Sequence, residues 1–189
     1  MNAYDFDKTI YKGDSSTDFF LYMILSRPYL IIFLPWFLIV FILYGCKLLS
    51  KKSTKQCLFF FVPWYKNIEK IVDKFWARHA NGIKEWYAKQ RREDDVIVSA
   101  SLGFIIKPML EALNIKYWVA TEFNTKTGKI EGENCYGEEK IIGFNKLFES
   151  KYLDSFYSDS LSDLPIMKKA KKAYLVKGDE ITEIDVKKM

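Results

Sequence analysis

The stretch Asn2-Ala3-Tyr4-Asp5-Phe6-Asp7-Lys8-Thr9 decides how the rest of the chain is read. Residues 2–6 have the length and apolar character of a short buried strand, and the strand runs straight into acidic residues. Residues 10–16, with Gly13, Asp14 and two serines, read as a turn or flap. Outward from there, the C-terminal half alternates. Strands are expected at Val96–Ser99, Tyr117–Thr121, Ser155–Tyr157 and Ala173–Val176, and helices at Gly103–Leu113, Glu138–Phe148 and Leu164–Ala170. Short links between strand and helix imply a parallel sheet covered on both faces, an α/β fold. Ligands of such sheets bind at the carboxyl ends of strands. The polar residues there are Asp5, Asp7 and Thr9; Ser99 and Ser101; and Asp159 with Asp163. Lys140 sits near a helix start between them.

That set suits phosphoryl transfer. Clustered carboxylates invite a hard cation such as Mg²⁺. A carboxylate can attack phosphorus to give an acyl phosphate that water then cleaves, and a second carboxylate two residues on can serve as general acid and base. A lysine and a hydroxyl can hold the transferring oxygens. Amides at the start of the helix after Ser99 would add donors.

The middle of the chain is different. A helical pattern from Asp18 to about Leu25 precedes Pro28–Cys46, which holds no charge and is almost wholly apolar, with Pro35 inside it. Lys47, Lys51, Lys52 and Lys55 follow, then a shorter apolar run, Cys57–Tyr65, containing Pro63. Residues 66–90 read as one amphipathic helix with Ile68, Ile71, Val72, Phe75, Trp76, Ile83, Trp86 and Tyr87 near one face. One simple membrane crossing is excluded, because Asp5 precedes the apolar run and Ser99, Lys140 and Asp159 follow it, yet all must meet. The pattern favours a shallow helical hairpin broken near Pro35 and seated in one leaflet, its lysines on anionic headgroups. The competing reading is an apolar insert packed on itself or on a second subunit.

Composition narrows the classes further. The net charge of +5 fits a phosphate-bearing substrate or an anionic membrane surface, and no basic module for nucleic acid is present. Cys46, Cys57 and Cys135 form no C-x-x-C pair and read as buried reduced thiols; with His79 the only histidine, a zinc site is not expected. No signal peptide is expected ahead of the first apolar run. Ser101 reads as a helix cap, Asp14 as a turn residue, His79 as part of the amphipathic helix, and Lys146 as a competitor of Lys140.

Four motifs in order resemble those of the haloacid dehalogenase (HAD) superfamily: Asp5-x-Asp7-x-Thr9, Ser99 at a strand end, Lys140 in Cys-Tyr-Gly-Glu-Glu-Lys, and Asp159 with Asp163 in Tyr-Ser-Asp-Ser-Leu-Ser-Asp-Leu-Pro. The resemblance implies a Rossmann-like core over residues 1–16 and 90–189 and an inserted all-helical C1 cap over residues 17–89. It is similar to the phosphoserine-phosphatase-like branch, subfamily IB. It implies Asp5 as nucleophile and metal ligand, and Asp7 as general acid/base with its backbone carbonyl on Mg²⁺. Asp159 would be a metal ligand, and Asp163 a more distant or water-mediated one. Thr9, Ser99, the Ala100 amide and Lys140 would bind phosphate. Lys8 departs from the pattern, where many members have Gly. The greasy insert together with Cys-x-Gly-x-Glu-Lys and Tyr-Ser-Asp-Ser is also similar to the bacterial phosphatidylglycerophosphatase C family. That likeness implies a lipid phosphate substrate, a cytoplasmic enzyme held peripherally or monotopically on the inner face of a bacterial membrane through residues 28–65, and room for a homodimer through the cap. The alternative substrate is a soluble, phosphoserine-like metabolite.

Overall fold

A computed structural model describes residues 1–149 and 152–188. Its centre is a six-stranded sheet in the order β3-β2-β1-β6-β7-β8, from strands β1 (Asn2–Tyr4), β2 (Val96–Leu102), β3 (Tyr117–Thr121), β6 (Leu153–Ser158), β7 (Ala170–Lys177) and β8 (Glu180–Ile184). All pairings are parallel except that of the edge strand β8 with β7. A separate two-stranded hairpin, β4 (Phe123–Asn124) and β5 (Lys129–Ile130), lies in the turn-rich stretch. The expected α/β fold with a parallel sheet is what forms.

Alternation along the strands divides the core. On one face lie Tyr4, Ile97 and Leu102; on the other lie Ala3, Val96, Val98 and Phe156. The second face is covered by α7 (Glu138–Phe148) and the short α8 (Leu164–Met167), which bring Phe144, Phe148, Ile166 and Met167. The register aligns Tyr4, Tyr157 and Tyr174 across three strands, and their rings stack at 4.8 and 4.6 Å between centroids. Such cross-strand aromatic pairs stiffen the sheet where β1 ends.

Between β1 and β2 the chain is helical: α1 (Ser15–Ser26), a 3₁₀ segment (Pro28–Phe33), α2 (Leu34–Gly45), α3 (Lys51–Leu58), α4 (Ile68–His79) and α5 (Glu85–Gln90). Helices α4 and α6 (Gly103–Ala112) pack on the first face of the sheet. Asp14 caps α1, its side chain accepting the Thr17 amide at 2.9 Å, so this turn residue also starts the helix.

Several expectations change. Pro35 does not break a hairpin; it occupies the first turn of α2, where its missing N–H is harmless. The reversal lies at residues 46–50, and α2 and α3 run antiparallel, with Trp36 Nε1 donating to the Cys57 carbonyl at 3.0 Å. Residues 66–90 are not one helix. A 3₁₀ turn at Ala80–Gly82 separates α4 from α5, and Ile83 bridges to Tyr11. Strand β2 runs three residues beyond Ser99, so no helix start lies directly after it. The last helix stops at Met167 and the next strand begins at Ala170. Cys135 is buried as expected, but Cys46 is exposed at the end of α2.

Candidate active site

The strand ends converge as parallel topology requires. Asp5 continues the central ladder, its amide donating to the Tyr157 carbonyl at 2.9 Å. The chain then turns sharply: the amides of Ile10 and Tyr11 both reach the Phe6 carbonyl, and Lys8 adopts φ +57°. A left-handed backbone favours Gly, which gives the departure at Lys8 a physical meaning. Its carbonyl is held by Lys84 Nζ at 2.6 Å.

Lys140, in the first turn of α7 and 2% exposed, is the electrostatic hub. Its Nζ donates to Asp5 Oδ1 at 2.8 Å and Asp163 Oδ2 at 2.6 Å. Burial disfavours the ammonium, but the Asp5 and Asp163 charges outweigh that and raise its pKa. Ser158 Oγ also donates to Asp163 Oδ2, at 2.7 Å, so Asp163 is committed to holding Lys140 and the end of β6. Lys146, the competitor, is exposed farther along α7. Burial pushes the Asp5 carboxyl up, against the pull of Lys140. The ammonium bonded to its Oδ1 favours the ionised form that a nucleophile needs.

Asp7 is held differently. Its Oδ1 accepts the Ser15 amide at 2.8 Å and its Oδ2 accepts the Ser101 hydroxyl. Burial, with the nearby Asp14 charge, lifts its pKa to about 7 despite those donors. A carboxyl poised near neutrality can both give and take a proton. Ser101 is thus not a helix cap; Leu102 holds that position without a side-chain bond. Its signal was in the sequence, because residues 99 and 101 of one strand share a face.

Ser99 is buried and accepts the Ser101 amide at 3.1 Å, and with Ala100 it lines the same cleft. Thr9, expected to bind phosphate, lies outside the cleft lining; fully buried, its Oγ1 accepts the Asp159 amide at 2.9 Å and so fixes the loop that presents Asp159. Asp159 is half-buried, its carboxyl raised chiefly by burial. His79 lies against Phe75 with ring centroids 4.3 Å apart, away from these groups.

The cleft has a volume of about 520 Å³. Its floor holds Asp5, Asp7, Asp159 and Asp163 against Lys140, and one wall is Phe20, Phe41, Tyr44, Leu58 and Phe59. Lys51 and Lys55, expected to face headgroups, line this cleft instead. Lys55 Nζ donates to the Ala100 carbonyl and to Asn134 Oδ1 at 2.9 Å. Thr121 Oγ1 joins the same carbonyl at 2.7 Å and the same carboxamide at 3.1 Å. Lys51, Lys55, Asn134 and Thr121 were not identified as site residues from sequence.

The floor suits a hard cation. Asp163 Oδ1 is buried with no partner among the described residues, and Asp5, raised chiefly by burial and lowered by Lys140, is raised further by the Asp163 and Asp159 charges. Among the described residues no three His, Cys, Asp or Glu side chains form a metal cage. Mg²⁺ does not need one, since it takes one or two carboxylates and keeps waters. Asp5, Asp159 and the backbone carbonyl of Asp7 would hold it.

Comparisons with known proteins agree with the fold. The Mycobacterium tuberculosis (strain ATCC 25618 / H37Rv) protein named Probable phosphatase Rv3661 is 36% identical over 93 residues, 46% of this chain and 32% of its own length. The chain thus matches about a third of the length of that relative. A protein of unknown function from Bordetella pertussis Tohama I has the same fold, with a TM-score of 0.75 at 17% identity, over 92% of this chain and 87% of its own. A phosphoserine phosphohydrolase-like protein from Francisella tularensis subsp. tularensis SCHU S4 superposes with a TM-score of 0.53 at 18% identity, over 91% and 84%. The model of the haloacid dehalogenase-like hydrolases matches residues 3–168, and the chain belongs to that family.

Proposed function

We propose that the protein is a Mg²⁺-dependent phosphomonoesterase that works through an aspartyl phosphate on Asp5 and acts on a membrane lipid phosphate such as phosphatidylglycerophosphate. An Asp5 carboxylate oxygen attacks phosphorus as the ester O–P bond breaks, and Asp7 gives its proton to the departing alkoxide. Asp7 then takes a proton from water as that water attacks phosphorus, releasing phosphate and restoring Asp5. Lys140, the Ser99 hydroxyl and the Ala100 amide steady the transferring oxygens. Bound Mg²⁺ supplies the positive charge that lets an anionic nucleophile meet an anionic phosphate.

One observation carries the lipid half of the reading. The apolar wall of the cleft, at Phe41 and Tyr44, belongs to the segment Pro28–Gly45, whose other side is open to solvent. This segment has a mean hydropathy of 2.1, is only 17% buried, and is long and apolar enough to cross a membrane by length and composition. Ile32, Trp36, Leu38, Ile39 and Ile42 are all exposed on it. Exposed apolar surface of this extent marks a membrane or partner contact. Both ends of the segment return to the cleft, through α1 and α3, so it lies in one leaflet rather than across. A phosphate seated on the floor would have its acyl tails led along this wall to the lipid.

The test is a substrate panel with Mg²⁺, with and without anionic vesicles, on the wild type, Asp5→Asn, and Ile39→Asp/Ile42→Asp. The expected result is vesicle binding and lipid-phosphate hydrolysis by the wild type and at least a hundredfold loss in Asp5→Asn. The double variant, altered only at exposed positions outside the cleft lining, binds vesicles at least tenfold more weakly while hydrolysing soluble phosphates as before. Turnover of phosphoserine as fast as lipid without vesicle binding, or a dimer abolished by the double variant, overturns the lipid reading. Full activity in Asp5→Asn overturns the phosphatase reading.

A further inference from the structure

Lys84 is a buried ammonium whose hydrogen-bond partners among the described residues are both backbone carbonyls. It stands near the end of the insert, at the residue before α5, and is 7% exposed. Its Nζ donates to the Lys8 carbonyl at 2.6 Å and to the carbonyl of Gly178, in the turn between β7 and β8. Among the described residues no carboxylate lies within ion-pair distance of it. The charges of Asp179 and Asp159 favour the ammonium from farther off, and burial outweighs them. Burying a cation in this way is unfavourable in itself. What it provides is grip, because a charge-assisted hydrogen bond holds a carbonyl about twice as strongly as a neutral donor does.

The backbone at residue 8 is where grip is needed. Lys8 has φ +57° and carries a Cβ, so it sits in a conformation that side chains disfavour. The peptides on both sides of it are pinned. The Lys8 amide donates to the Gly13 carbonyl at 2.9 Å, and since that peptide is planar and trans, the Asp7 carbonyl is turned the opposite way. The next peptide is held by Lys84 through the Lys8 carbonyl, and Thr9 Oγ1, one residue on, accepts the Asp159 amide at 2.9 Å. Lys84 works from a fixed base. Its own amide donates to the Ile10 carbonyl at 2.8 Å, and the Lys12 amide donates to the Gly82 carbonyl at 2.9 Å, so residues 82–84 pair with residues 10–12. The left-handed residue therefore lies between the Asp7 carbonyl and the support of Asp159, two of the groups that would hold Mg²⁺.

We propose that Lys84 is a positioning residue, whose ammonium holds the left-handed turn at Lys8 in the conformation that aims the Asp7 carbonyl and Asp159 at one metal ion. The insert is thereby part of the metal site although Lys84 supplies no ligand. This rests on the reading of the floor as the Mg²⁺ site of a phosphatase and is independent of the lipid half of that reading.

The experiment compares the wild type, Lys84→Met, Lys84→Gln, and Lys84→Met combined with either Lys8→Gly or Lys8→Ala. Three quantities are read: Mg²⁺ binding to the metal-free protein by titration calorimetry, kcat and KM for p-nitrophenyl phosphate at saturating Mg²⁺, and the urea midpoint. Lys84→Met is expected to bind Mg²⁺ at least fivefold more weakly and to lose at least tenfold in kcat, with KM within twofold because no substrate contact is removed. Adding Lys8→Gly, which makes the left-handed turn easy without a clamp, restores most of both losses. Adding Lys8→Ala, which removes the same charge but keeps a Cβ, does not. Lys84→Gln, a neutral donor, falls between the wild type and Lys84→Met, and it replaces Lys84→Met in both combinations if the latter shows no cooperative urea transition. Wild-type Mg²⁺ affinity and kcat in Lys84→Met overturn the proposal, even if its urea midpoint falls, since Lys84 would then support only the fold. Equal effects of Lys8→Gly and Lys8→Ala overturn it too. A wild type that binds Mg²⁺ but turns over no phosphate overturns the phosphatase reading, while the titrations still decide the clamp. A wild type that binds no Mg²⁺ overturns the metal site and the clamp with it.

Discussion

Two buried charges in this chain show how differently one protein treats its carboxylates. Asp163, 1% exposed, has an ammonium and a hydroxyl on one oxygen. Asp95, equally buried at the entrance to β2, has only the Arg92 amide at 2.7 Å on Oδ2, while its Oδ1 and the nearby Tyr87 hydroxyl are buried without partners among the described residues. Burial lifts the Asp95 pKa to about 6, partly opposed by that amide and the Arg92 charge. The unfolded chain holds this carboxyl near its ordinary value of about 3.9. As pH rises from about 4 to about 6, the unfolded state releases its proton first, so the folded state loses stability over that window. Above it the penalty is constant, roughly 1–3 kcal/mol. Asp95→Asn keeps an acceptor for Arg92 and removes the charge. Its urea midpoint is expected to exceed the wild type's, with the gap wider at pH 7.5 than at pH 5. A gap that stays flat or narrows with pH would count against this account of Asp95.

At the scale of elements, α7 is placed by a residue that looks like a flaw. Gly143 sits inside the helix, where Ala would be better by about 1 kcal/mol. A Cβ there would lie 2.4 Å from Val119 Cγ1 of β3. The glycine lets α7 approach the sheet closely enough for Lys140 to reach Asp5. Gly143→Ala is expected to destabilise by about 1–3 kcal/mol through overpacking. It should also lower kcat by pushing Lys140 off Asp5, both read from one preparation by thermal melting and a phosphatase assay; a more stable, fully active variant would refute it. The bounds of α7 and β3 were legible because a helical period and a short run of aromatic and β-branched residues are local signals. The antiparallel edge strand β8 was not: its residues are mostly exposed or half-buried, and only pairing with β7 makes it a strand. Pro35 misled because proline both ends helices and begins them. In the site, Asp5, Asp7, Ser99, Lys140 and Asp159 stood out as charged or polar groups at expected strand and helix ends. Lys51 and Lys55 did not, because their shared face is readable from spacing, whereas what that face meets depends on Asn134 and Ala100, far along the chain.

The whole molecule has one further property that the order of its segments conceals. The helical insert is not a lid with a core of its own. Phe19, Phe20, Phe37, Phe59, Phe61 and Phe75 from the insert share a continuous buried cluster with Tyr4, Phe6, Ile97, Leu102 and Ile105 from the sheet and its covering helix. Trp76 of α4 donates its Nε1 to the Ile105 carbonyl of α6 at 2.7 Å inside that cluster. Separating insert from sheet would expose several fully buried aromatic side chains, each worth about 1.5–3 kcal/mol, more than a marginally stable fold can lose piecemeal. The two parts should therefore unfold together. Tryptophan emission, which reports mainly on Trp36, Trp64, Trp76 and Trp86 of the insert, and far-ultraviolet dichroism, which reports on the whole chain, are expected to give superimposable urea transitions. An early emission transition that leaves the sheet signal intact would mean that the insert opens independently. Access to the catalytic floor would then run through a moving lid rather than along the apolar wall.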